Sequence, residues 1–432
     1  MERYDAYKDS GVEWIGEIPK RWTCANLGSI SSQRKSLNRD GSVDNVLSLS
    51  YGTIKRRLLD NTGLMPESFN TYNVIEEGDV VLRLTDLQND QKSLRVGLCH
   101  EKGVITAAYT TLEPQSIDSR YLFYNLATFD YWKGFYGLAG GVRQSLTFDG
   151  IRGLRFPLPS VLEQQAIADF LDSKTAEIDS LVADCEREVE LLQEYRKAVI
   201  SEAVTKGLDP DAPMKDSGVE WIGRIPEKWA LPKLGSLAVK IGSGKTPRGG
   251  ADVYVENGVP FLRSQNVYDT GLILDNLAFI SDDIDGEMSS TRVVRSDVLL
   301  NITGGSIGRC CVYEMEYHAN VNQHVCIIRL NHRALPKYIQ FFWNSNLGAT
   351  AIRLFQTGAN REGMNFEQIA SARIPLPSLE GQQEIVRYLD TKTAEIDSLI
   401  EAKQAMADKL REYRRSLISE AVTGKFKVPG ID

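Results

Sequence analysis

Apolar residues recur every seven positions along two long segments of the chain, and this period predicts two long helices. In the first segment the main apolar row is Leu171, Ile178, Cys185, Leu192 and Val199, and its companion row is Ile167, Lys174, Leu181, Glu188 and Tyr195. In the second segment the main row is Leu389, Ile396, Lys403, Leu410 and Leu417, and its companion row is Ile385, Lys392, Leu399, Met406 and Tyr413. A heptad period sustained over this length is typical of helices that pack against another helix.

Both helices have recognisable ends. A proline-containing FPLPS segment precedes the first helix, and IPLPS precedes the second. Ser160 and Glu163 have the spacing of a capping box, and Gly207 follows the last periodic residue. We therefore expect helices over residues 160–207 and 378–425, each about 45 residues and about 67 Å long.

The chain also contains an internal repeat. The segment KDSGVEWIGEIPKRW, which begins at Lys8, returns at Lys215 with 12 of 15 positions identical. The helical segments Gln164–Thr205 and Gln382–Thr423 share 23 of 42 positions. The regions between these repeats differ in sequence. The expected plan is an N-terminal segment (1–22), domain 1 (23–159), a spacer helix (160–207), a repeat of the N-terminal segment (208–229), domain 2 (230–377) and a C-terminal spacer helix (378–425).

The two variable domains have the mixed pattern of small α+β domains. Strand-like runs occur at residues 79–85, 298–303 and 325–330, and helical runs occur at 119–132 and 336–354. The expected fold class is therefore α+β. It comprises two globular mixed α/β domains that are joined by two long antiparallel coiled-coil helices, with a pseudo-twofold internal repeat.

The helices are expected to pair with each other. In an antiparallel pair about a pseudo-twofold axis, facing residue numbers have a constant sum, and pairing the charged Glu188 with Lys403 fixes it at 591. Cys185 is then expected to face Met406. The alternative is that each helix packs alone on its own domain. The same symmetry places Lys8–Trp22 after the second helix, as its repeat follows the first.

Composition indicates an ordinary globular protein. The chain has 432 residues, of which 42% are hydrophobic and 25% are charged, and its six cysteines show no CxxC zinc pattern. No segment reaches the roughly 20 apolar residues of a membrane helix, and the first residues lack a signal-peptide stretch. We therefore expect a cytoplasmic protein with reduced thiols and no membrane partner.

The net charge of −8 does not exclude a nucleic-acid partner, because the acidity is concentrated in one segment. Residues 160–206 contain 5 Lys and Arg against 11 Asp and Glu. Residues 23–155 contain 15 against 14, and residues 230–373 contain 14 against 13. Each variable domain is nearly neutral, so basic side chains on one face remain compatible with DNA binding.

Each candidate catalytic motif lacks the neighbouring residues or the spacing that its chemistry needs, so no catalytic residue is expected. The GSGKT run that ends at Thr246 has Val239 where a phosphate-binding P-loop needs glycine, and Pro247 follows it. It is either a polar loop that faces a DNA phosphate or an ordinary surface loop. The four histidines lack metal-ligand spacing, and no Pro-Pro dipeptide of an adenine methyltransferase occurs. The nuclease-like ExK triplet that ends at Lys403 lies on a predicted helix face.

The organisation resembles the specificity subunit of type I restriction-modification systems over almost the whole chain. The motifs that carry the resemblance are DSGVEWIGxIP at Asp9 and Asp216, the PLPS…QQ…LD[ST]KTAEIDSL helix entries, and EYR…ISEAVT near the helix ends. In domain 2 the matching landmarks are KIGSGKTPRGG, GVPFLRSQNV, ITGGSIGR and NVNQHV. In domain 1 they are GDVVLRLTD and GVITAAY.

The resemblance implies a DNA-recognition role. Each variable domain is expected to be a target recognition domain that reads one half of a bipartite, asymmetric target in double-stranded DNA. The helices are expected to set the spacing and to dock two methyltransferase subunits, which carry S-adenosylmethionine, and motor-endonuclease subunits join for restriction. The chain itself is expected to be non-catalytic and to bind no cofactor. The alternatives are a stand-alone DNA-binding or regulatory protein and a self-sufficient nuclease-methyltransferase, although no S-adenosylmethionine site is seen.

Side-chain chemistry selects candidate DNA contacts in the loops. Arginine or lysine reads guanine, asparagine or glutamine reads adenine, and hydroxyl groups hold phosphates. In domain 1 the candidates are Arg34, Lys35, Lys55, Arg56, Arg57, Arg83, Lys92, Arg143 and Gln144. In domain 2 they are Ser243, Lys245, Thr246, Arg248, Arg263, Gln265, Asn266, Gln323, His324, Asn360 and Arg361. The alternative for each is a solvated surface side chain, and for Arg83 and Arg263 an internal ion pair.

Overall fold

The computed structural model describes residues 2–57, 68–89, 94–138, 145–356 and 363–431. The chain divides into two compact units: unit 1 comprises Met1–Glu186 and Ala405–Asp432, and unit 2 comprises Arg187–Gln404. Each unit therefore holds one variable domain, one copy of the short repeat and one end of each long helix. The unit boundaries cross the predicted segments because both helices contribute to both units.

Unit 1 opens with a β-hairpin from the short repeat, in which β1 (Tyr7–Asp9) pairs antiparallel with β2 (Glu17–Pro19). The elements of domain 1 follow in chain order as β3 (Thr23–Asn26), α1 (Leu27–Ile30), β4 (Ser31–Gln33), β5 (Leu47–Ser50), β6 (Thr53–Arg56), β7 (Asn73–Ile75), β8 (Val80–Leu82), β9 (Val96–Leu98), β10 (Gly103–Ile105), β11 (Thr110–Pro114), α2 (Ser119–Tyr131), α3 (Phe148–Ile151) and β12 (Arg155–Leu158).

The core of domain 1 is a four-stranded antiparallel sheet in the order β4-β11-β8-β9. Helix α2 begins at an Asp118 cap, whose carboxylate accepts hydrogen bonds from the backbone N–H groups of Arg120 and Tyr121. Its buried Leu122 and Leu126 share one apolar cluster with the sheet strands. The predicted strand at 79–85 and helix at 119–132 are confirmed.

The first long helix is α4 (Val161–Lys206), and the second copy of the short repeat follows as the hairpin β13 (Met214–Asp216) with β14 (Arg224–Pro226). The elements of domain 2 are β15 (Ala238–Ser243), β16 (Val259–Leu262), β17 (Val267–Tyr268), β18 (Gly271–Leu272), β19 (Ala278–Ile280), α5 (Asp282–Glu287), β20 (Arg292–Val293), β21 (Val298–Asn301), β22 (Cys310–Val312), β23 (Ala319–Val321), β24 (Val325–Leu330), α6 (Pro336–Trp343), α7 (Asn346–Gln356) and α8 (Phe366–Ser371). The second long helix is α9 (Leu379–Val422). Among the described residues, no helix is long and apolar enough to span a membrane.

Domain 2 repeats the sheet of domain 1, in the order β15-β24-β21-β22, and adds a second sheet in the order β19-β16-β23-β20. The added sheet is mixed, because β16 pairs parallel with β23 and antiparallel with β19. Buried aliphatic residues of β21 and β24 alternate between two apolar clusters, so this part of the sheet is covered on both faces.

The single helix predicted at 336–354 is wrong, because two helices occupy this segment. Helix α6 ends at Trp343 and is followed by the capping residue Asn344, whose side-chain amide donates to the carbonyl of Cys310. The Ser345 hydroxyl then accepts from the backbone N–H of Gly348 in the first turn of α7. The side chains of Asn344 and Ser345 therefore end one helix and begin the next.

Helices α4 and α9 pack together antiparallel, as predicted. In unit 2 the Arg196 guanidinium binds Asp397 at 2.8 Å. The repeat places the matching pair in unit 1, where Arg414 binds Asp179, also at 2.8 Å. The predicted ion pair between Glu188 and Lys403 is present. The alternative of two helices that pack independently is therefore not supported.

The predicted companion row, however, is largely solvent-exposed. Tyr195 is 55% exposed and Tyr413 is 51% exposed, although the main-row residue Cys185 is buried. Met406 is half exposed, and its neighbour Ala407 joins Cys185 in the buried cluster. That Cys185 faces Met406 stays a prediction. The positions four residues after the main row are covered instead, since Val182 and Ala407 are buried.

Each domain is attached to the long helices by the same contacts. The buried Tyr121 hydroxyl lies within hydrogen-bond distance of the carbonyls of Pro157 and Val422 in unit 1. The Tyr338 hydroxyl makes the same contacts with Pro375 and Val204 in unit 2. The amide oxygens of Gln164 and Gln382 likewise accept the backbone N–H groups of Asp118 and Leu335. The internal repeat therefore preserves the attachment points of two dissimilar domains.

The N-terminal hairpin lies at the end of α9, as the symmetry predicts. The Lys425 ammonium donates to the carbonyls of Ile15 and Glu17, at 3.0 and 2.7 Å. Gly424 has φ +69°, and a Cβ there would lie 2.5 Å from Pro19. Gly207 has φ +78° beside Trp229 in the second copy. Both helix ends need glycine, because the chain turns there in the left-handed conformation against the hairpin.

Candidate nucleic-acid interface

The register of the domain 2 sheet brings three loops to one end. Strand β15 pairs with β24 so that Ser243 faces Cys326, and β21 pairs with β24 so that Asn301 faces Val325. The loop after β15, the loop after β21 and the turn before β24 therefore meet. The sequence-predicted residues at 243–248 and at 323–324 lie in two of these loops and are brought together.

The backbones of these loops approach closely. The N–H of Lys245 donates to the carbonyl of Val321 at 3.1 Å, and the N–H of Ile302 donates to the carbonyl of His324 at 3.0 Å. A Cβ on Gly244 would lie 1.7 Å from the Val321 carbonyl oxygen, so this position admits only glycine. The GSGKT run is thus a tight loop that follows a strand and packs against a neighbouring turn.

Four side chains form a continuous hydrogen-bonded chain across the three loops, which we call the Gln323 relay: Thr246, Gln323, His324 and Thr303. The Thr246 hydroxyl donates to Gln323 Oε1. Gln323 Nε2 lies 3.1 Å from His324 Nε2, and His324 Nδ1 lies 2.6 Å from the Thr303 hydroxyl. Thr246 and Gln323 are exposed, so the outer end of the relay is accessible to a ligand.

Cationic side chains border the relay. The exposed Lys245 extends toward the Ser290 hydroxyl at 3.4 Å, and Lys240 donates to the Ser290 carbonyl at 2.8 Å. Burial lowers the pKa of Lys240, and the nearby Arg329 lowers it further. Arg248 is exposed, and Ser243 is half-buried with its hydroxyl turned to the Gly244 carbonyl. Lys245 and Arg248 therefore extend from the loop that carries Thr246.

The segment 263–266 contributes unevenly. Asn266 is 1% exposed; its Oδ1 accepts the N–H of Arg263, and its Nδ2 donates to the Ile273 carbonyl. Its amide is committed to the turn, so Asn266 is not positioned to contact a base. The Arg263 guanidinium donates to the Asn276 carbonyl at 2.8 Å, a contact to backbone in place of the ion pair considered above, while Gln265 is exposed.

In domain 1, the side chain of Arg34 forms ion pairs within the protein. Its guanidinium binds Asp79 at 2.6 Å and Glu113 at 3.0 Å. Burial raises the pKa of the Asp79 carboxyl, and the hydrogen bond from Arg34 acts in the opposite direction. Arg34 therefore compensates a buried carboxylate and is not free to reach DNA.

Other domain 1 candidates lie on an exposed strand. Lys55 and Arg56 are in β6 and Arg57 follows it, and all three are exposed, as is Lys35. Arg56 forms an ion pair with Glu101, and Arg83 is half-buried after β8. The remaining predicted residues lie outside the described residues; they are Lys92, Arg143, Gln144, Asn360 and Arg361.

Sequence reasoning missed two residues that organise these surfaces. Thr303 belongs to the ITGGSIGR landmark, but only the sheet register reveals its contact with His324. Arg95 is 1% exposed and donates from its guanidinium to the carbonyls of Arg83, Thr85 and Asp86. A signal for Arg95 was its place immediately before the apolar strand β9.

No side-chain cluster suited to metal binding occurs in the described part of the chain. The cysteines of domain 2 lie in its core, and burial raises the pKa of the Cys310 thiol and that of Cys326, the latter to about 12. Such thiols stay protonated near neutral pH and are poor nucleophiles.

Comparisons with known proteins agree with this architecture. The family model described as the type I restriction modification DNA specificity domain matches residues 226–406. The chain is 27% identical over 280 residues to the type I restriction enzyme EcoBI specificity subunit of Escherichia coli, which covers 62% of this chain and 58% of that protein. It is 24% identical over 427 residues to the MjaVIII specificity subunit of Methanocaldococcus jannaschii, which covers 96% of this chain and 95% of that protein.

A solved structure shows the same fold. It comes from a study of complex assembly and conformational transition of the type I R-M system, and its chain superposes with a TM-score of 0.71 at 15% identity. The match covers 94% of this chain and 98% of that chain. The family resemblance inferred from the repeats is thus confirmed: residues 226–406 match the type I restriction modification DNA specificity domain, and the chain is similar to type I restriction enzyme specificity subunits.

Proposed function

We propose that this chain is the DNA-recognition subunit of a type I restriction-modification complex, with each variable domain reading one half of a bipartite, asymmetric target in double-stranded DNA. The observation that carries the proposal is that one scaffold occurs twice with different chemistry at its loops. The sheet order and the helix attachments repeat in the two domains. In contrast, the turn before β11 in domain 1 carries Ala107 and Ala108, whereas the equivalent turn before β24 in domain 2 carries Gln323 and His324. Two different recognition domains on one repeated scaffold are suited to a target whose two halves differ.

In this proposal the chemical steps belong to partner subunits. Two methyltransferase subunits that carry S-adenosylmethionine dock on the long helices, motor-endonuclease subunits join for restriction, and the complex works in the cytoplasm. Exposed apolar side chains on these helices support a partner surface; they are Leu181, Tyr195, Leu399, Met406 and Tyr413. The chain itself performs no catalysis. Its similarity to specificity subunits favours this role over that of a stand-alone regulator.

The proposed DNA contacts are exposed or half-exposed loop residues. In domain 1 they are Lys35, Lys55, Arg56, Arg57 and Arg83, and in domain 2 they are Ser243, Lys245, Thr246, Arg248, Arg263, Gln265, Gln323 and His324. Lys92, Arg143, Gln144, Asn360 and Arg361 remain candidates by residue type. Side chains of this kind combine phosphate attraction with base-edge hydrogen bonds.

Domain exchange tests the proposal. Methylated adenines are mapped across the genome in cells with and without the chain, and again after residues 23–155 are replaced by the corresponding domain of another specificity subunit. We expect one bipartite motif to depend on the chain and only one of its halves to change after the exchange. Loss of both halves with a folded protein, or full DNA affinity and regulation without any copurifying methyltransferase, would contradict it.

A further inference from the structure

We propose that Gln323 recognises an adenine in the half-site bound by domain 2, with Thr246 and His324 as positioning residues that hold its amide. The inference rests on the proposed function and assigns the base that one side chain reads. It follows from the hydrogen-bond inventory of the Gln323 relay.

The protons of the relay are determined by its donors and acceptors. An amide nitrogen can only donate, so Gln323 Nε2 donates to His324 Nε2, which must accept. The histidine proton is therefore on Nδ1, and it is donated to the Thr303 hydroxyl at 2.6 Å. At the other end, the Thr246 hydroxyl donates to Gln323 Oε1. Both polar atoms of the Gln323 amide thus have one partner each.

What remains on the amide is one N–H and one oxygen lone pair, because a side-chain amide has two donors and two acceptor sites. Gln323 is an exposed residue of the turn, so a ligand can approach its amide. In the major groove adenine presents an acceptor at N7 beside a donor at N6, guanine presents two acceptors, and cytosine and thymine do not present this pair. Adenine is therefore the base that satisfies both remaining groups of Gln323.

The conclusion does not depend on which amide atom faces which partner. If the amide is reversed, Nε2 donates to the Thr246 hydroxyl and Oε1 accepts from His324 Nε2–H, and Thr303 then donates to Nδ1. One N–H and one lone pair again remain. The relay fixes the plane of the amide in either case, which reduces the conformational entropy lost when a base is bound.

The surroundings favour a DNA ligand. Lys245 and Arg248 flank Thr246 in the same loop and are exposed. These cations can attract the phosphates on either side of a base that Gln323 reads. The relay is specific to domain 2: in the same turn of domain 1, Tyr109 bonds back to Thr106 as Val325 bonds back to Asn322, and the two intervening residues are alanines.

The test is enrichment of bound sequences from a pool of randomised DNA duplexes. The full chain is prepared with its co-expressed methyltransferase subunits, and the wild type is compared with Gln323→Ala and Gln323→Glu. We expect Gln323→Ala to lower adenine preference at one position of one half-site by about 5- to 150-fold, which corresponds to the 1–3 kcal/mol of a bidentate base contact. Gln323→Glu offers only acceptors, so preference at that position should move toward cytosine, whose N4 donates.

Thr246 and His324 are tested as positioning residues by the same enrichment. Thr246→Val removes one partner of the amide and should lower the same adenine preference by about 3- to 10-fold, the loss of one modest hydrogen bond. Thr246→Ser keeps the hydroxyl and should restore it. His324→Leu should reduce preference at the same position. Thr270→Val and His332→Gln alter exposed residues of the same domain outside the relay and should leave it unchanged.

The outcomes separate the two proposals. A wild-type complex that enriches no sequence contradicts the proposed function. A wild-type complex that enriches a motif whose adenine preference survives Gln323→Ala contradicts the adenine assignment alone. Uniform weakening of all sequences by Gln323→Ala, in a variant whose thermal unfolding matches the wild type, identifies a phosphate contact and also overturns the assignment.

Discussion

Domain 1 and domain 2 have the same four-stranded sheet order, yet an arginine at the same place in the sheet has different surroundings. Arg95 stands immediately before β9 and Arg309 immediately before β22, the equivalent strand. Arg95 is buried and donates to three loop carbonyls, whereas Arg309 is half-buried over the ring of Tyr268 at 4.3 Å. A shared backbone therefore supports loops that are held by unrelated interactions.

The long helices show the opposite pattern. Their contacts with the two domains repeat almost atom for atom through Tyr121 and Tyr338, and through Gln164 and Gln382. The difference indicates a division of labour, in which the helices and their attachments are fixed while the loops at the end of the sheet vary. Such a division allows one domain to change its ligand without disturbing the attachment of either.

The arginine comparison is tested most strongly by Arg95→Met. The variant leaves buried carbonyls without donors, so we expect domain 1 to lose about 3–5 kcal/mol of local stability. Arg309→Met loses mainly a cation–π contact and should cost domain 2 about 1 kcal/mol. Amide hydrogen exchange resolved by peptide measures both in the full chain. Equal losses of local stability in the two domains would show that the two arginines stabilise their loops equally.

The attachment contacts are tested by Tyr121→Phe and Tyr338→Phe. Each variant removes one buried hydroxyl that lies between two carbonyl groups, and we expect each to cost about 1–2 kcal/mol in its own unit. The values should agree closely, because the contacts are equivalent. Tyr413→Phe, at an exposed helix position, is the control and should have no effect. The two losses are compared by chemical denaturation that is monitored in each unit by hydrogen exchange. A large difference between the two tyrosine variants would show that the two attachment contacts are not equivalent.

The paired arginines of the helices sharpen the comparison further. Asp397, the partner of Arg196, has a side chain 30% exposed, whereas Asp179, the partner of Arg414, is 56% exposed. Double-mutant cycles with alanine should give about 1–2 kcal/mol of coupling for the first pair and under about 1 kcal/mol for the second, which solvent screens more strongly. Both couplings should decrease at high salt, and the coupling of the more exposed pair should decrease more. Equal couplings would show that exposure does not distinguish the pairs.

The smallest expected effect is a difference between the two domains in how their stability depends on pH. Burial acts to raise the pKa of Asp285, but hydrogen bonds from Arg292 and His318 outweigh it and hold that pKa below its usual value. Its stabilisation of domain 2 is therefore present above the unfolded carboxyl pKa of about 3.9 and is lost as the pH falls through the lower folded value. Burial instead raises the pKa of Asp79, so protonation favours folded domain 1.

Acidification from about pH 5 to pH 3 should therefore open domain 2 before domain 1, a modest difference that hydrogen exchange can resolve. Asp285→Asn should lower the stability of domain 2 near neutral pH but flatten its acid dependence. An acid profile unchanged by Asp285→Asn would assign the pH response of domain 2 to other groups.

Much of the fold was predictable because it rests on local and repeated signals. The heptads, the proline breaks and the glycines gave α4 and α9 to within a residue or a few at each end, and the repeat gave their antiparallel pairing through Glu188 and Lys403. The choice of companion row failed. Positions three and four residues from a buried row are both neighbours on a helix, and only the partner's position decides which is covered.

The candidate site was predictable by region more than by residue. Residue type and loop position identified Thr246, Gln323 and His324, which the structure joins in one relay. They also selected Asn266 and Arg34, whose polar atoms are used inside the protein. The sequence cannot distinguish a DNA-contacting side chain from one that bonds inside the protein. A polar residue in a loop looks the same in the sequence whether its partner is water, DNA or a buried carbonyl.

The sequence alone determined the duplicated plan, the two long helices, their pairing and the family resemblance, because each depends on periodicity or repetition along the chain. The tertiary structure alone decided that both variable domains share one sheet order, that Arg95 holds a loop from within, and that Thr303 completes the relay. These features depend on strand register, which brings together residues far apart in sequence through backbone hydrogen bonds that carry no sequence signal of their own.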